Sequence, residues 1–266
     1  MLKDITLGQY FPIESPLHNM DPRTKILGLV FMLVAIFAAN GVIGYLTVAA
    51  FTLLIVLLSK VPFKTYFKGL KPIWFIIIFT GVLNFFLTPG TKIYIGNFST
   101  GATIEGVILA GKMALRLVLL IISSSALTYT TSPISLTDGI EKLLLPFSKM
   151  GLPAHELAMM MSIAIRFIPT LIEETEKISK AQQARGADFD SGNIIKRAKA
   201  LVPMLVPLFI SAFRRADELA VAMESRCYRG GNGRTRLNPI KFKKIDLTTA
   251  IIFTVFFAIV IALRFI

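Results

Sequence analysis

Two arginines in similar sequence contexts are the residues best suited to form specific hydrogen bonds with a partner. Arg185 lies in QQARGADFD at residues 182–190, and Arg226 lies in MESRCYRG at residues 223–230, 41 positions later. Each ends a helix-like segment. In a last helical turn, an arginine stabilises the helix dipole by about 0.3–1 kcal/mol. Small neighbours favour another role, in which the guanidinium enters a partner's groove and binds carboxylates with two hydrogen bonds.

Residue types that support catalysis or metal binding are sparse. The chain has one cysteine, Cys227, and two histidines, His18 and His155, which are far apart in sequence. Residues 106–113, GVILAGKM, match the glycine and lysine spacing of a phosphate loop. Met113 replaces the Ser/Thr that binds Mg²⁺, and the segment lies inside an apolar run. We therefore predict no catalytic, cofactor-binding or metal-binding residue.

The composition indicates an integral membrane protein. Of 266 residues, 54% are hydrophobic and only 17% are charged. The net charge of +13 could serve nucleic acid binding. In so apolar a chain, however, positive cytoplasmic loops explain it more simply. The predicted surroundings are thus a lipid bilayer, with no nucleic acid partner.

Apolar runs predict about five transmembrane helices. A crossing helix needs roughly 20 apolar residues. No charge lies between Lys25 and Lys60, and Asn40-Gly41 interrupts this stretch, which predicts two short helices. A single crossing there is the alternative. The predicted crossings are about 26–39, 42–58, the run between Lys71 and Lys92, 104–130 and 247–263.

Basic residues predict the orientation, because cytoplasmic loops are enriched in Lys and Arg. The N-terminal segment and the segment 59–72 are basic, whereas the loop at 40–45 has no charge. Five crossings then place the N-terminus in the cytoplasm and the C-terminus outside. If 26–58 crosses only once, this assignment fails.

The segment 132–245 differs from the rest of the chain. It holds 18 of the 29 basic and 11 of the 16 acidic residues, a net charge of +7, which predicts a cytoplasmic domain. Its apolar runs 157–172 and 200–213 contain an arginine or prolines, so we assign them to amphipathic helices on the membrane face. Helices are expected at about 133–144, 154–185 and 194–227. The predicted domains are 1–25, 26–131, 132–245 and 246–266.

Two further groups lie in this segment. Met159, Met160 and Met161 suit either core packing or an adaptable surface for several partners. The acidic residues Asp138, Glu141, Glu173, Glu174 and Glu176 are expected on solvated helix faces.

These parts resemble the transmembrane T component of energy-coupling-factor transporters. Asp21-Pro22-Arg23-Thr24-Lys25 is similar to the family's D-P-R-x-K, and Arg166-Phe167-Ile168-Pro169 to its R-F-I/V-P. Ala184-Arg185-Gly186 matches the first of its two A-R-G motifs. The most specific block is FRRADEL at residues 213–219 with AME at 222–224. The second motif departs from the family, because Ser225-Arg226-Cys227 replaces A-R-G, and cysteine disfavours a left-handed helix end.

The resemblance implies an all-α membrane protein with long, crossed cytoplasmic coupling helices and no catalytic activity. It implies two ABC-type ATPase partners, which contact Ala184, Arg185, Gly186, Ser225, Arg226 and Cys227. It also implies a membrane-embedded S component that captures a vitamin or metal micronutrient, in a prokaryotic cell membrane. Met159, Met160 and Met161 are the candidates for binding that S component.

Two other classes remain as alternatives. A stand-alone secondary permease needs ionisable residues deep in its spans or inverted repeats with broken helices. An intramembrane enzyme needs a metal cluster or a catalytic dyad at membrane depth. The sequence shows a clear example of neither.

Overall fold

A computed structural model describes residues 9–95, 98–187, 189, 193–230 and 241–264. Most of these residues are helical. Two short antiparallel strands, β1 (Lys92–Ile95) and β2 (Phe98–Thr103), form a hairpin. The helices are α1 (Pro22–Ala38), α2 (Gly41–Ser59), α3 (Phe63–Leu70), α4 (Trp74–Leu87), α5 (Ile104–Thr130), α6 (Pro133–Leu144), α7 (Ala154–Ala184), α8 (Ile194–Ser225) and α9 (Lys244–Arg264).

The described residues divide into two compact units. The first, called here the bundle unit, comprises Gly8–Gly139 together with Ile240–Ile266. The second, the helix-pair unit, lies within Ile140–Pro239 and contains α7 and α8. Of the predicted N-terminal segment 1–25, residues 1–8 lie outside the described part of the chain.

Among the described residues, five helical segments are long and apolar enough to cross a membrane, which agrees with an all-α integral membrane protein. Four lie in the bundle unit, where crossings were predicted: Gly41–Ser59, Phe63–Leu87, Ile104–Thr130 and Lys244–Arg264. The fifth is α7, which also qualifies by length and composition. The first predicted crossing, α1, has 17 residues, about 26 Å at 1.5 Å per residue, and so falls short of a full bilayer core.

The stretch 26–58 forms two helices, as the Asn40-Gly41 interruption predicted. Helix α1 ends at Ala38, and the Asn40 side chain caps α2 by accepting a hydrogen bond from the Gly41 amide. At its other end, α1 begins at Pro22, four residues before the predicted start. The Asp21 side chain caps it by accepting from the Arg23 amide at 2.9 Å, and proline suits the first helical position.

The core of the bundle unit joins α1, α2, α5 and α9. Its buried side chains are Met32, Ala35, Ile36, Ala39, Val48, Leu119, Phe256 and Val260. Gly28 lets α1 approach α9 closely, because a Cβ at this position would lie only 3.0 Å from the Phe253 ring. A larger residue here would have to push the Phe253 ring away by a few tenths of an ångström.

The Asp21-to-Lys25 motif joins three helix ends of the bundle unit. The Asp21 amide donates to the Asp246 carboxylate at the start of α9 (2.7 Å). The buried Lys25 ammonium donates to the Thr130 carbonyl at the end of α5 (2.8 Å). Burial alone would raise the pKa of Asp21, but hydrogen bonds from Arg23 outweigh it and lower this pKa. The motif thus holds the start of α1 against the end of α5 and the start of α9.

The hairpin of β1 and β2 was not predicted. Lys92 pairs with Thr103, and Ile95 pairs with Phe98. The intervening Gly96-Asn97 lies outside the described residues, but this dipeptide between β-prone residues is a hairpin signal in the sequence. It was missed because the segment was treated only as a loop between crossings.

Candidate functional site

The helices α7 and α8 form an antiparallel pair within the helix-pair unit, with contacts at three levels. Near one end, the Gln182 side-chain amide donates to the Pro203 carbonyl (3.1 Å). In the middle, Glu174 binds Arg215. Near the other end, the Tyr228 hydroxyl contacts the Met159 sulfur (3.1 Å). Because residue numbers rise on one helix as they fall on the other, the C-terminal ends of the two helices lie at opposite ends of the pair.

The first arginine motif forms the C-terminal turn of α7. Arg185 is the C-cap residue, and Gly186 takes a left-handed conformation with φ +88°. The Gly186 amide donates to the Gln183 carbonyl and the Ala187 amide to the Gln182 carbonyl, both at 2.9 Å. These two bonds define a Schellman motif. The predicted end of this helix at about residue 185 is confirmed.

The second arginine motif forms the same turn at the end of α8. Arg226 follows Ser225, the last helical residue, and Cys227 takes a left-handed conformation with φ +56°. The Cys227 amide donates to Glu224 (2.8 Å) and the Tyr228 amide to Met223 (3.0 Å), which repeats the Schellman pattern. The cysteine therefore adopts the left-handed end that its side chain disfavours, and the altered motif keeps the backbone geometry of the intact one.

All six motif residues are exposed: Ala184, Arg185, Gly186, Ser225, Arg226 and Cys227. Neither guanidinium forms an ion pair with any residue that the structure describes. Since 26 residues separate Arg185 from Met159, and Tyr228 contacts Met159, the two arginine ends lie about 40 Å apart. The structure does not bring the arginines together. It presents them separately, as two similar cationic ends.

The three methionines have two different roles. Met159 is partly buried and receives the Tyr228 hydroxyl, so it anchors the segment that follows α8. Met160 and Met161 are exposed on α7, by 57% and 41%. A separate set of exposed apolar side chains lies on α8, away from these two methionines, namely Leu201, Val202, Leu205, Val206, Phe209, Ile210 and Phe213. Clusters of exposed apolar side chains are typical of a membrane or partner contact.

A polar contact that the sequence did not reveal joins the middle of the pair. The Glu174 carboxylate accepts hydrogen bonds from the Ser211 hydroxyl (2.6 Å) and from the Arg215 guanidinium (2.8 and 3.2 Å). The assignment of Glu174 to a solvated helix face was therefore wrong. Arg215 belongs to the FRRADEL block, but this block gives no indication in the sequence that Arg215 meets Glu174.

The cationic residue Arg116 of α5 lies inside the bundle unit. Its guanidinium donates to the Tyr45 hydroxyl (2.7 Å), and its carbon lies 5.4 Å from the centre of the Phe37 ring. The phosphate-loop-like residues 106–113 lie within α5. Because all of them are helical, they do not form the loop between a strand and a helix that binds phosphate.

Comparison with known proteins agrees with this architecture. A family model described as CbiQ, cobalt transport protein, matches residues 14–237. This match covers the helix pair and the bundle unit apart from α9, and it defines the chain as a membrane transport protein.

Curated relatives are similar over nearly the whole chain. A protein from Acidaminococcus fermentans is 55% identical over 99% of this chain and 98% of its own length. One from Bacillus subtilis is 47% identical over 99% of this chain and all of its own length. One from Clostridium kluyveri is 57% identical, covering 94% of this chain and 93% of the relative. Each is named energy-coupling factor transporter transmembrane protein EcfT. The chain belongs to this EcfT family.

Proposed function

We propose that this chain is the non-catalytic coupling subunit of an energy-coupling factor importer. In this role it links ATP hydrolysis by two cytoplasmic ATPases to the movement of a substrate-binding S component. The observation that carries the proposal is the pair of equivalent arginine ends, Arg185 and Arg226, on antiparallel helices. Two similar ends about 40 Å apart suit two similar partners that lie side by side.

Each arginine end is built to enter a groove. The C-cap residue stands at the tip of its helix, and the left-handed residue after it turns the chain away. The small neighbours, Ala184 and Gly186 at one end and Ser225 and Cys227 at the other, leave the guanidinium prominent. In an ATPase groove it forms bidentate bonds with carboxylates.

The helix-pair unit faces the cytoplasm in this proposal. The segment 132–245 carries a net charge of +7, and the positive-inside rule assigns such segments to the cytoplasmic side. Helix α7 is apolar enough to span, yet it contains Arg166 and Glu174, and Glu174 bonds to α8. Both helices then lie along the membrane face, with their apolar side chains towards lipid or the S component.

The S component contacts the exposed Met160 and Met161 of α7. Methionine side chains repack against varied shapes, which suits a surface that accepts more than one S component. Substrate specificity for a vitamin or metal micronutrient then resides in the S component, and this chain supplies the shared mechanical part.

Purification from native membranes tests the proposal. An affinity-tagged chain, extracted in mild detergent, should co-purify with two ATPase subunits and a small membrane protein identified by native mass spectrometry. The double variant Arg185→Ala/Arg226→Ala should still insert in the membrane but lose the ATPases. A chain that purifies alone and transports substrate unaided would instead be a secondary permease.

The single cysteine gives a direct test of docking at the second end. Cys227 is exposed and adjoins Arg226. A maleimide should label it readily in the isolated chain and slowly in the assembled complex. Equal labelling rates in both states would contradict docking at this end.

Met160→Lys separates the two kinds of partner. A charge on this exposed side chain should weaken retention of the S component, because an ammonium is costly to bury in an apolar contact. The ATPases should remain bound and serve as the internal control. Loss of the ATPases with retention of the S component would overturn the assignment.

A further inference from the structure

The helices α7 and α8 are related by one sequence offset along their whole lengths. Adding 41 to the bounds of α7 (Ala154–Ala184) gives 195–225, and α8 is Ile194–Ser225. The same offset relates Arg185 to Arg226 and the left-handed Gly186 to Cys227. The antiparallel pair therefore has approximate twofold symmetry, with equivalent residues 41 positions apart.

One contact lies at the centre of this symmetry. In two helices related by a twofold axis, a residue that contacts its symmetry-equivalent on the other helix lies on that axis. Glu174 and Arg215 are 41 positions apart and bind each other at 2.8 Å, so they form such a contact. Each also lies 11 residues, about 17 Å of helix, before its arginine end. The ion pair is therefore equidistant from the two arginine ends.

Among the α7 and α8 side chains that the structure describes, Glu174 also accepts the largest number of hydrogen bonds from the other helix. Three hydrogen bonds from Ser211 and Arg215 converge on the Glu174 carboxylate. The contacts nearer the ends are a single amide bond to the Pro203 carbonyl and a hydroxyl–thioether contact at Met159. Among the described residues of α7 and α8, no other ion pair joins the helices. A directional contact in the middle with weaker ones outside allows rotation about the middle.

We infer that Glu174, Ser211 and Arg215 form a pivot that couples the movements of the two arginine ends. The inference rests on the proposed function, in which each end is held by one ATPase. When the ATPases move the ends, the helices rotate about the central ion pair, which keeps them in register, so that the movement of one end is transmitted to the other. These three are positioning residues: they touch neither substrate nor nucleotide.

Charge reversal tests the pivot in the reconstituted complex. Glu174→Lys and Arg215→Glu each place like charges at the axis, and the double variant restores an opposite pair. In proteoliposomes, the amount of substrate imported per ATP hydrolysed should fall roughly fivefold or more in each single variant and recover in the double variant. A merely stabilising pair would lower the melting temperature and leave this ratio unchanged.

Matched controls lie one residue away on each helix. Glu173 and Arg214 are exposed, and they are themselves separated by 41 positions. Glu173→Lys and Arg214→Glu make the same charge changes away from the axis and should leave the ratio unchanged. An unchanged ratio in the Glu174→Lys and Arg215→Glu complexes, or an equal fall in the controls, overturns the pivot.

A distance measurement on the full chain alone separates this inference from the proposed function. Spin labels at the exposed, equivalent positions Gln183 and Glu224, introduced in a Cys227→Ser background, report the separation of the two ends. Glu174→Lys should broaden their distance distribution, and Glu173→Lys should not. No broadening contradicts the pivot, whatever the partners are. Broadening together with full uptake by Arg185→Ala/Arg226→Ala contradicts the proposed function instead.

Discussion

The C-terminal turns of α7 and α8 share one backbone geometry but differ at the residue that the geometry constrains most. Both turns have the two hydrogen bonds of a Schellman motif, and both place an arginine at the C-cap. The left-handed position is Gly186 in one turn and Cys227 in the other. For a residue with a Cβ, the left-handed conformation costs about 1–2 kcal/mol.

This difference shows that Arg226 keeps the same C-cap position as Arg185, although the left-handed conformation of Cys227 costs free energy. The sequence around Arg226 does not favour the turn, yet the same bonds form. The following residue contributes, since Tyr228 donates its amide to Met223 and its hydroxyl contacts Met159. The contact of Tyr228 with Met159 thus offsets the conformational cost that arises because Cys227, and not glycine, occupies the left-handed position.

The largest expected effect comes from removing the arginines. Arg185→Ala and Arg226→Ala should each lower uptake by more than about 100-fold, because breaking one side of a desolvated ion pair costs roughly 3–5 kcal/mol. Equal losses would show that the altered second motif docks as firmly as the first. Uptake is measured in proteoliposomes, with membrane insertion checked by immunoblot. Wild-type uptake in the double variant would contradict docking at both ends.

Much of the fold follows from local signals in the sequence. Proline, glycine and asparagine mark the ends of α2, α6 and α7, so these helices begin and end within a few residues of the prediction. Ser132, for example, caps α6 by accepting a hydrogen bond from the Ser135 amide (3.2 Å). Stretches with few charges predicted four of the helices that are long and apolar enough to cross a membrane, because charged side chains are costly in hydrocarbon.

Long-range features could not be predicted in the same way. The Glu174–Arg215 contact joins residues 41 positions apart, and its register depends on how two helices pack. The sequence identified Arg185 and Arg226, but not the antiparallel arrangement that separates them. The left-handed Cys227 was also beyond local rules, since these rules assign that conformation to glycine.

A smaller effect is expected when the left-handed glycine of the first turn is replaced by a residue with a Cβ, as in the second turn. Gly186→Ala places a Cβ at φ +88°, which should destabilise the turn by about 1–2 kcal/mol. Uptake should fall less than in Arg185→Ala, because the arginine remains. The thermal unfolding midpoint of the purified complex measures the loss.

Two controls define the origin of that loss. Gly186→Asn should cost less, since asparagine visits the left-handed region more readily. Cys227→Ala should change little, because the wild-type residue already carries a Cβ there. If Cys227→Ala destabilised the complex as much as Gly186→Ala, backbone conformation would not be the cause.

The smallest effect is expected for the converse change, Cys227→Gly. It places glycine at the left-handed position of the second turn, as in the first turn. Relief of the left-handed conformation contributes about 1–2 kcal/mol. The greater freedom of glycine in the unfolded chain offsets about 0.4–1 kcal/mol of this. The unfolding midpoint should therefore rise slightly, with uptake unchanged. A lower midpoint would mean that the Cys227 side chain itself stabilises the turn, and the two arginine ends would then be held by different interactions.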